Sequence, residues 1–330
     1  LYYLGDDIEI NMDKSIHYLE LSAELNFDEA QNLLGHIYSS KEYNKFDINK
    51  GIYYYELASK QNNSDAQLRL AILYYKGIDV VQDIKKTIHY LELSSQNKNS
   101  DAQYLLGKIY YKGKYIKQNL KQAVFYLMHS ADQNNSKAQY LLGEFFYNDE
   151  LIPRNINQAL DFLKCSAQQK NAKAQCLLGQ IYYEAESVQR NIEKAIHYFK
   201  LSSKQQNSKA QYYLGEIYYE GEFVTLDINK AIHYLDLSSK NNNSDAQYLL
   251  GQIYYEGKYI SQDINKAIHY LTLSSKQENS DAQFLLGDIY NDDKYAEHDV
   301  NEAIKYYELS AEQGNSEALL EIGLILRNSP

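Results

Sequence analysis

Residues 280–290 read S-D-A-Q-F-L-L-G-D-I-Y, and after a short polar connector residues 299–315 read D-V-N-E-A-I-K-Y-Y-E-L-S-A-E-Q-G-N. Thirty-six residues earlier, Ser244 opens S-D-A-Q-Y-L-L-G-Q-I-Y-Y-E-G, and Asp263 opens D-I-N-K-A-I-H-Y-L-T-L-S-S. The alanine of the A-Q pair recurs at Ala30, Ala66, Ala102, Ala138, Ala174, Ala210, Ala246, Ala282 and Ala318, always 36 apart. A fixed period of this size marks a stack of supersecondary units rather than one globular core.

Within one unit the spacing predicts two helices. Ser280 with Gln283 has the S-x-x-Q form of a capping box, repeated at Ser64, Ser100, Ser136, Ser208 and Ser244. Asp28 with Gln31 is a variant, and Ala172 is expected to lack the cap. Ala282, Leu285, Leu286, Ile289 and Tyr290 then follow the 3–4 spacing of a buried stripe. Gly287 sits mid-helix, at about 1 kcal/mol against alanine. Gly35, Gly107, Gly143, Gly179, Gly215, Gly251 and Gly323 hold the same place, and only Ala71 departs, so a close approach by another helix is expected there. Gly77, Gly113, Gly221 and Gly257 stop the first helix. Val80, Ile116, Ile152, Val188, Val224 and Ile260 should tuck the connector onto the core, and Pro153 is tolerated in such a connector.

The second helix starts at Asp or Asn: Asp47, Asp83, Asn119, Asn155, Asn191, Asp227, Asp263 and Asp299. Ala267, Ile268, Tyr270, Leu271, Ser274 and Ser275 form its buried stripe. Asn62, Asn134, Asn242 and Gly314 suit the left-handed stop that ends it. Lys98, Lys170, Gln206 and Glu278 take that position elsewhere, where poorer stops are expected. One helix pair cannot bury its own apolar face, so stacking must do it. The expected fold is all-α: a right-handed α-solenoid of antiparallel helix pairs. It comprises a partial repeat 1–27, full repeats 28–63, 64–99, 100–135, 136–171, 172–207, 208–243, 244–279 and 280–315, and a partial repeat 316–330. Leu1–Tyr3 align with the last turn of a first helix, so the chain reads as cut from something longer.

A net charge of −11 disfavours a phosphate-backbone partner, so no nucleic acid is expected. No apolar run approaches the roughly 18–20 residues of a membrane span. Cys165 and Cys176 are too few for a disulfide framework and read as core thiols. A cytoplasmic location is the expectation, with secretory or ER targeting by further segments left open.

The motif A-x-A-Q-Y-x-L-G-x-x-Y, a glycine, then D-x-x-K-A-x-x-aromatic at a spacing of 36 resembles the Sel1-like repeat, a relative of the tetratricopeptide repeat. Tyr18, Tyr54, Tyr90, Tyr126, Phe162, Tyr198, Tyr234, Tyr270 and Tyr306 stand at the family's tryptophan site. Serine pairs such as Ser274–Ser275 replace its usual alanines, and Tyr115, Phe223, Tyr259 or Tyr295 its second connector glycine. The resemblance implies an adaptor, as in proteins that scaffold ubiquitin ligases, regulate cell-wall synthases, mediate bacterial host interaction or flank kinase domains. A cysteine-rich branch associated with β-lactamase activity carries cysteine pairs in repeat after repeat. This chain does not, so that activity is not transferred.

With Leu286, Ile289 and Tyr290 buried, positions 284, 288, 291 and 292 face the other way. By the same resemblance they line a concave groove. They form two aromatic ladders: Tyr104, Tyr140, Tyr212, Tyr248 and Phe284, and Tyr75, Tyr111, Tyr147, Tyr183, Tyr219 and Tyr255. Between them sit Lys108, Glu144, Gln180, Glu216, Gln252 and Asp288. Tyrosine joins large contact area to a polar tip. Two readings stand together: rings that stack across repeats for stability, and a groove that contacts a ligand. Glu144, Glu184, Glu216, Glu220, Glu256 and Asp288, against Lys76, Lys108 and Lys112, make the middle and C-terminal groove negative. The partner expected is a protein or extended peptide with basic residues and aromatic or apolar anchors.

His17, His89, His197, His233 and His269 share one repeat position, but equivalent helices lie about 8–10 Å apart. Zinc needs ligands at about 2 Å from one ion, so helix-face histidines are the reading. No phosphate-loop, zinc-protease or nucleophile-elbow motif appears. No catalytic residue, metal or cofactor is expected. The function expected is a non-enzymatic interaction scaffold; the alternative is the repeat arm of a larger signalling enzyme, such as a protein kinase.

Overall fold

In the computed structural model every second helix begins on the Asp or Asn the sequence supplies. The side chains of Asp47, Asp83, Asn119, Asn155, Asn191, Asp227, Asp263 and Asp299 accept hydrogen bonds from backbone N–H groups two or three residues on. Each cap residue's own N–H bonds back to the preceding first helix, as Asp263 does to the Tyr254 carbonyl at 2.9 Å, and so closes the connector. The structure describes residues 11–148, 154–184, 189–295 and 297–328. The expectations for Leu1–Tyr3, Ile152, Pro153 and Val188 lie outside them.

The helices fall into two compact units, Leu1–Gln169 and Lys170–Pro330. The first holds α1 (Met12–Glu24), α2 (Asp28–Ser39), α3 (Ile48–Lys60), α4 (Ser64–Lys76), α5 (Ile84–Gln96), α6 (Ser100–Lys112), α7 (Leu120–Asp132), α8 (Ser136–Asn148) and α9 (Ile156–Gln168). The second holds α10 (Ala172–Glu184), α11 (Ile192–Ser203), α12 (Ser208–Glu220), α13 (Ile228–Lys240), α14 (Ser244–Glu256), α15 (Ile264–Ser275), α16 (Ser280–Asn291), α17 (Val300–Glu312) and α18 (Ser316–Asn328). Among the described residues there is no strand. Within each unit, packing is heaviest between the two helices of one repeat and next heaviest onto the repeat that follows. That is an all-α solenoid, with cores made of neighbours.

The first helices start one residue earlier than the capping-box reading places them. Asn63, Asn99, Asn207, Asn243 and Asn279 are the caps, each accepting from the N–H three residues on at 2.8–3.1 Å. Asn171 does the same for Ala174 at 3.2 Å, so the helix at Ala172 does not lack its cap. Asp28 is no variant cap: Phe27 precedes α2 without a side-chain bond, and the Asp28 carboxylate accepts from Asn63 Nδ2 at 2.8 Å.

The carbonyl at the serine position and the glutamine side chain have other work. Buried Ser94, Ser130, Ser166, Ser202, Ser238 and Ser274 each donate from Oγ to the carbonyl at the start of their repeat's first helix, at 2.6–2.8 Å. The glutamines are buried too. Gln247 Nε2 donates to the Ser239 carbonyl of the preceding repeat at 3.3 Å, and its Oε1 accepts from Gln277 Nε2 at 2.7 Å. Gln67, Gln103 and Gln211 make the same pair of bonds. A buried amide with no partner is costly, so this ladder fixes register as it satisfies itself.

The stops after the second helices correct a further expectation. Lys98, Lys170, Gln206 and Glu278 adopt φ of 59–62°, within a few degrees of Asn62, Asn134 and Asn242. Their geometry is fully formed. The poorer residue type costs energy, of order 1–2 kcal/mol in the left-handed region, rather than shape. Cys165 is exposed and only Cys176 is a core thiol, which burial pushes up to about 12.

Candidate partner-binding face

The two ladders follow from what each ring packs on. Tyr104 and Tyr111 of α6 lie against the Leu127, Leu142 and Phe145 cluster of α7 and α8. Tyr212 and Tyr219 of α12 lie against Leu235, Leu250 and Ile253, and Tyr248 and Tyr255 of α14 against Leu271, Leu286 and Ile289. Tyr75 packs on the Leu91 and Leu106 cluster, and the Phe284 ring sits 5.6 Å from that of Tyr307. The ring bodies therefore belong to the core that a repeat's second helix shares with the following repeat, with Phe284 on its own repeat's Tyr307, and the side chains remain half-buried. Tyr147 is the exception: at 5% exposure it offers almost no surface, and the Arg154 guanidinium covers its ring at 4.9 Å.

The hydroxyl ends meet carboxylates. Tyr140 donates to Glu144 at 2.7 Å and Tyr212 to Glu216 at 2.6 Å, each across one helical turn. Tyr183 donates to Glu220 at 3.0 Å and Tyr219 to Glu256 at 3.3 Å, each into the next repeat. Gln252 donates to Glu256, and Asp288 accepts from Tyr307 at 2.8 Å. Burial, then the neighbouring carboxylates, push Tyr219 up to about 12 and Tyr183 and Tyr212 further, so these phenols stay neutral donors at physiological pH. Burial first raises Glu216, reinforced by Glu220, Asp245 and Glu184 and opposed by the Tyr212 hydroxyl; burial likewise raises Asp288. The face of the second unit is thus aromatic area fringed by negative charge. In the first unit, Tyr75, Tyr104 and Lys108 line a cavity.

Three features were missed in the sequence. The connector aromatics dock edge-on against the preceding repeat's ladder: Tyr115 on Tyr75, Phe223 on Tyr183, Tyr259 on Tyr219 and Tyr295 on Tyr255. A second aromatic series stacks inside each repeat, as in Tyr254 on Tyr270, with centroids 5.9 Å apart and planes 5° apart. The lysine of the D-x-x-K motif then caps that stack: Lys266 lies 4.9 Å from the Tyr254 ring centroid, and Lys50, Lys86, Lys194 and Lys230 repeat it. Periodicity carried the signal for the stacked pair, which recurs in every full repeat, but less so for the others: Asp79, Leu151 and Ser187 stand at the connector-aromatic position, and Gln122, Gln158 and Glu302 at that of the lysine. His17, His89, His197, His233 and His269 are exposed, each beside the aromatic that follows it in sequence. Among the described residues no group of three or more His, Cys, Asp or Glu is placed to hold a metal ion, and no helix is long and apolar enough to cross a membrane.

The family model described as the Sel1 repeat matches residues 1–27, 28–63, 64–99, 100–135, 136–171, 172–207, 208–243, 244–279 and 280–315. Among solved structures, the chain is similar to a protective antigen of uropathogenic Escherichia coli strains that displays an SLR fold. The identity is 26% and the TM-score 0.83, over 96% of this chain and 68% of that one. It is also similar to a Sel1 repeat protein from Oxalobacter formigenes, at 26% identity and TM-score 0.72, over 94% of this chain and 89% of that one. No curated protein matches the chain.

Proposed function

The chain belongs to the Sel1 repeat family, and on that footing we propose that it is an interaction scaffold whose ladder face in the second unit holds a basic, aromatic-anchored segment of another protein. Sel1 repeat chains are in general protein-interaction scaffolds built on a non-catalytic repeat fold. The observation that supports this particular face is the interleaving of half-buried tyrosines with Glu184, Glu216, Glu220, Glu256 and Asp288 on one side of α10, α12, α14 and α16. Rings already packed on the next repeat lose little freedom when a partner covers them, which lowers the ordering cost of association. Carboxylates around them favour a cationic partner and speed its encounter.

The test is capture from native lysate by the full chain and by the Tyr219→Ala, Tyr255→Ala double variant, with crosslinks mapped by mass spectrometry. Crosslinks on α12 and α14, and partner yield reduced at least tenfold in the variant, support the reading. Equal capture by both chains overturns it.

A further inference from the structure

The cavity in the first unit has the opposite character to the second unit's face. It measures about 490 Å³ and lies between α4, α5 and α6. Small-ligand and anchor pockets fall at roughly 300–1,000 Å³. Its walls are Leu68, Ile72, Leu91, Leu105 and Ile109, with the Tyr75 and Tyr104 rings. At two lining positions this repeat differs from the one that follows it. Leu68 stands where Tyr104, Tyr140, Tyr212 and Tyr248 carry a ring, though Asn32 and Cys176 lack one too, and Ile72 stands where every later full repeat carries a polar side chain.

Five lysines line the same cavity, Lys76, Lys108, Lys112, Lys114 and Lys137, against a single carboxylate, Asp101. Lys137 approaches that carboxylate only to 3.9 Å, and Lys108 and Lys114 lie over the Tyr104 and Tyr115 rings. Among the described residues Lys76 and Lys112 form no ion pair. A cation in the last turn offsets the helix dipole, but that does not account for these two. At the same repeat position α12 and α14 carry Glu220 and Glu256 and still end on left-handed Gly221 and Gly257. Likewise Lys108 is Glu144, Glu216 and Asp288 in later repeats. On a chain of net charge −11, a lysine ring confined to one cavity is a local reversal of sign.

We propose that this cavity binds an acidic peptide segment through one bulky apolar side chain, seated between α4 and α6 while its flanking Asp or Glu residues meet the lysine ring. The inference rests on the reading above that the aromatic face contacts polypeptide, but it concerns a separate site with the opposite charge preference. The apolar walls take the anchor, and the exposed ammonium groups select against a basic partner.

The probe is a fluorescein-labelled twelve-residue peptide with a central Phe-Leu pair flanked by Asp and Glu, titrated into the full chain by anisotropy. Two companion peptides replace Phe-Leu by Ser-Ser, or every acid by Lys. Saturable binding is expected, weakened at least tenfold by Ser-Ser, lost with the Lys peptide, and weakened at least tenfold by Lys108→Glu with Lys112→Glu. Lys112 is exposed and Lys108 half-buried, and an unchanged circular dichroism spectrum shows that this variant folds. Tyr219→Ala with Tyr255→Ala should leave this affinity unchanged. No saturation at millimolar chain, equal binding of the Ser-Ser peptide, or indifference to the lysine reversals overturns the proposal. So does saturable binding of dodecanoate with none of the peptide, which would make the cavity a small-amphiphile site. None of these outcomes bears on capture through α12 and α14, which stands or falls separately.

Discussion

A methyl group added at Gly107 would lie 2.5 Å from Leu127 Cγ, closer than real contacts permit. The glycine is kept because a bulky side chain of the second helix fills the space where its own side chain would be; Gly251 faces Leu271 and Gly287 faces Tyr307 in the same way. Gly107→Ala therefore sets about 1–3 kcal/mol of overpacking against about 1 kcal/mol of helix propensity. The net effect expected is a loss of up to about 2 kcal/mol, read as a lower urea midpoint. Ala71, which meets buried Leu91 beside the cavity, is the natural exception, and Ala71→Gly should also lose about 1 kcal/mol. Both directions of exchange are thus unfavourable, each at its own site. Glu216 behaves differently. Its carboxyl is raised in the folded chain, chiefly by burial, so the folded state holds the proton to higher pH than the unfolded state does. The stability this supplies is complete below the ordinary carboxyl range and is lost as pH rises through the folded value. Melting temperatures of Glu216→Gln should match the parent near pH 4 and exceed it at pH 7; a constant difference across that range would refute the assignment.

At the scale of the helix, the stack of Lys266, Tyr254 and Tyr270 joins the ends of one repeat's two helices. A lysine over an aromatic face contributes about 0.5–1 kcal/mol at an exposed site. A double-mutant cycle of Lys266→Met with Tyr254→Leu should return a coupling of that size, and a coupling near zero would reduce the motif's lysine to a solubilising residue. Much of the element plan was legible beforehand. Asp and Asn starts, glycine stops and the 36-residue register rest on local chemistry, and Asp227, Gly221 and Ala246 do what their types predict. The serine caps misled because Asn243 and Ser244 are adjacent and both are good caps. The choice between them turns on Gln247, which is drawn away by Ser239 eight residues before it and Gln277 thirty after it. The stop at Lys98 misled because the two packed helices on either side dictate its backbone, whatever its side chain prefers. The candidate face was legible as a composition but not as a surface. Whether a tyrosine such as Tyr147 shows its ring depends on how the adjoining chain covers it.

Over the whole molecule, the ladder and glutamine contacts that join repeats in the second unit recur 36 residues on. Remove 208–243 and Ser244 follows Asn207 as it now follows Asn243. Tyr183 would then meet Tyr259 instead of Phe223, and Glu256 instead of Glu220; Gln247 would reach the Ser203 carbonyl instead of that of Ser239. Excision of those 36 residues should leave ellipticity per residue at 222 nm unchanged and the melt cooperative. Excision of 18 residues, 208–225, should abolish the cooperative melt. Because a whole period drops out with these ladder and glutamine partners replaced in kind, unequal crossing-over between the segments that encode neighbouring repeats can lengthen or shorten such a gene in viable steps. Copy number then becomes a trait that selection can adjust independently of the residues that do the binding.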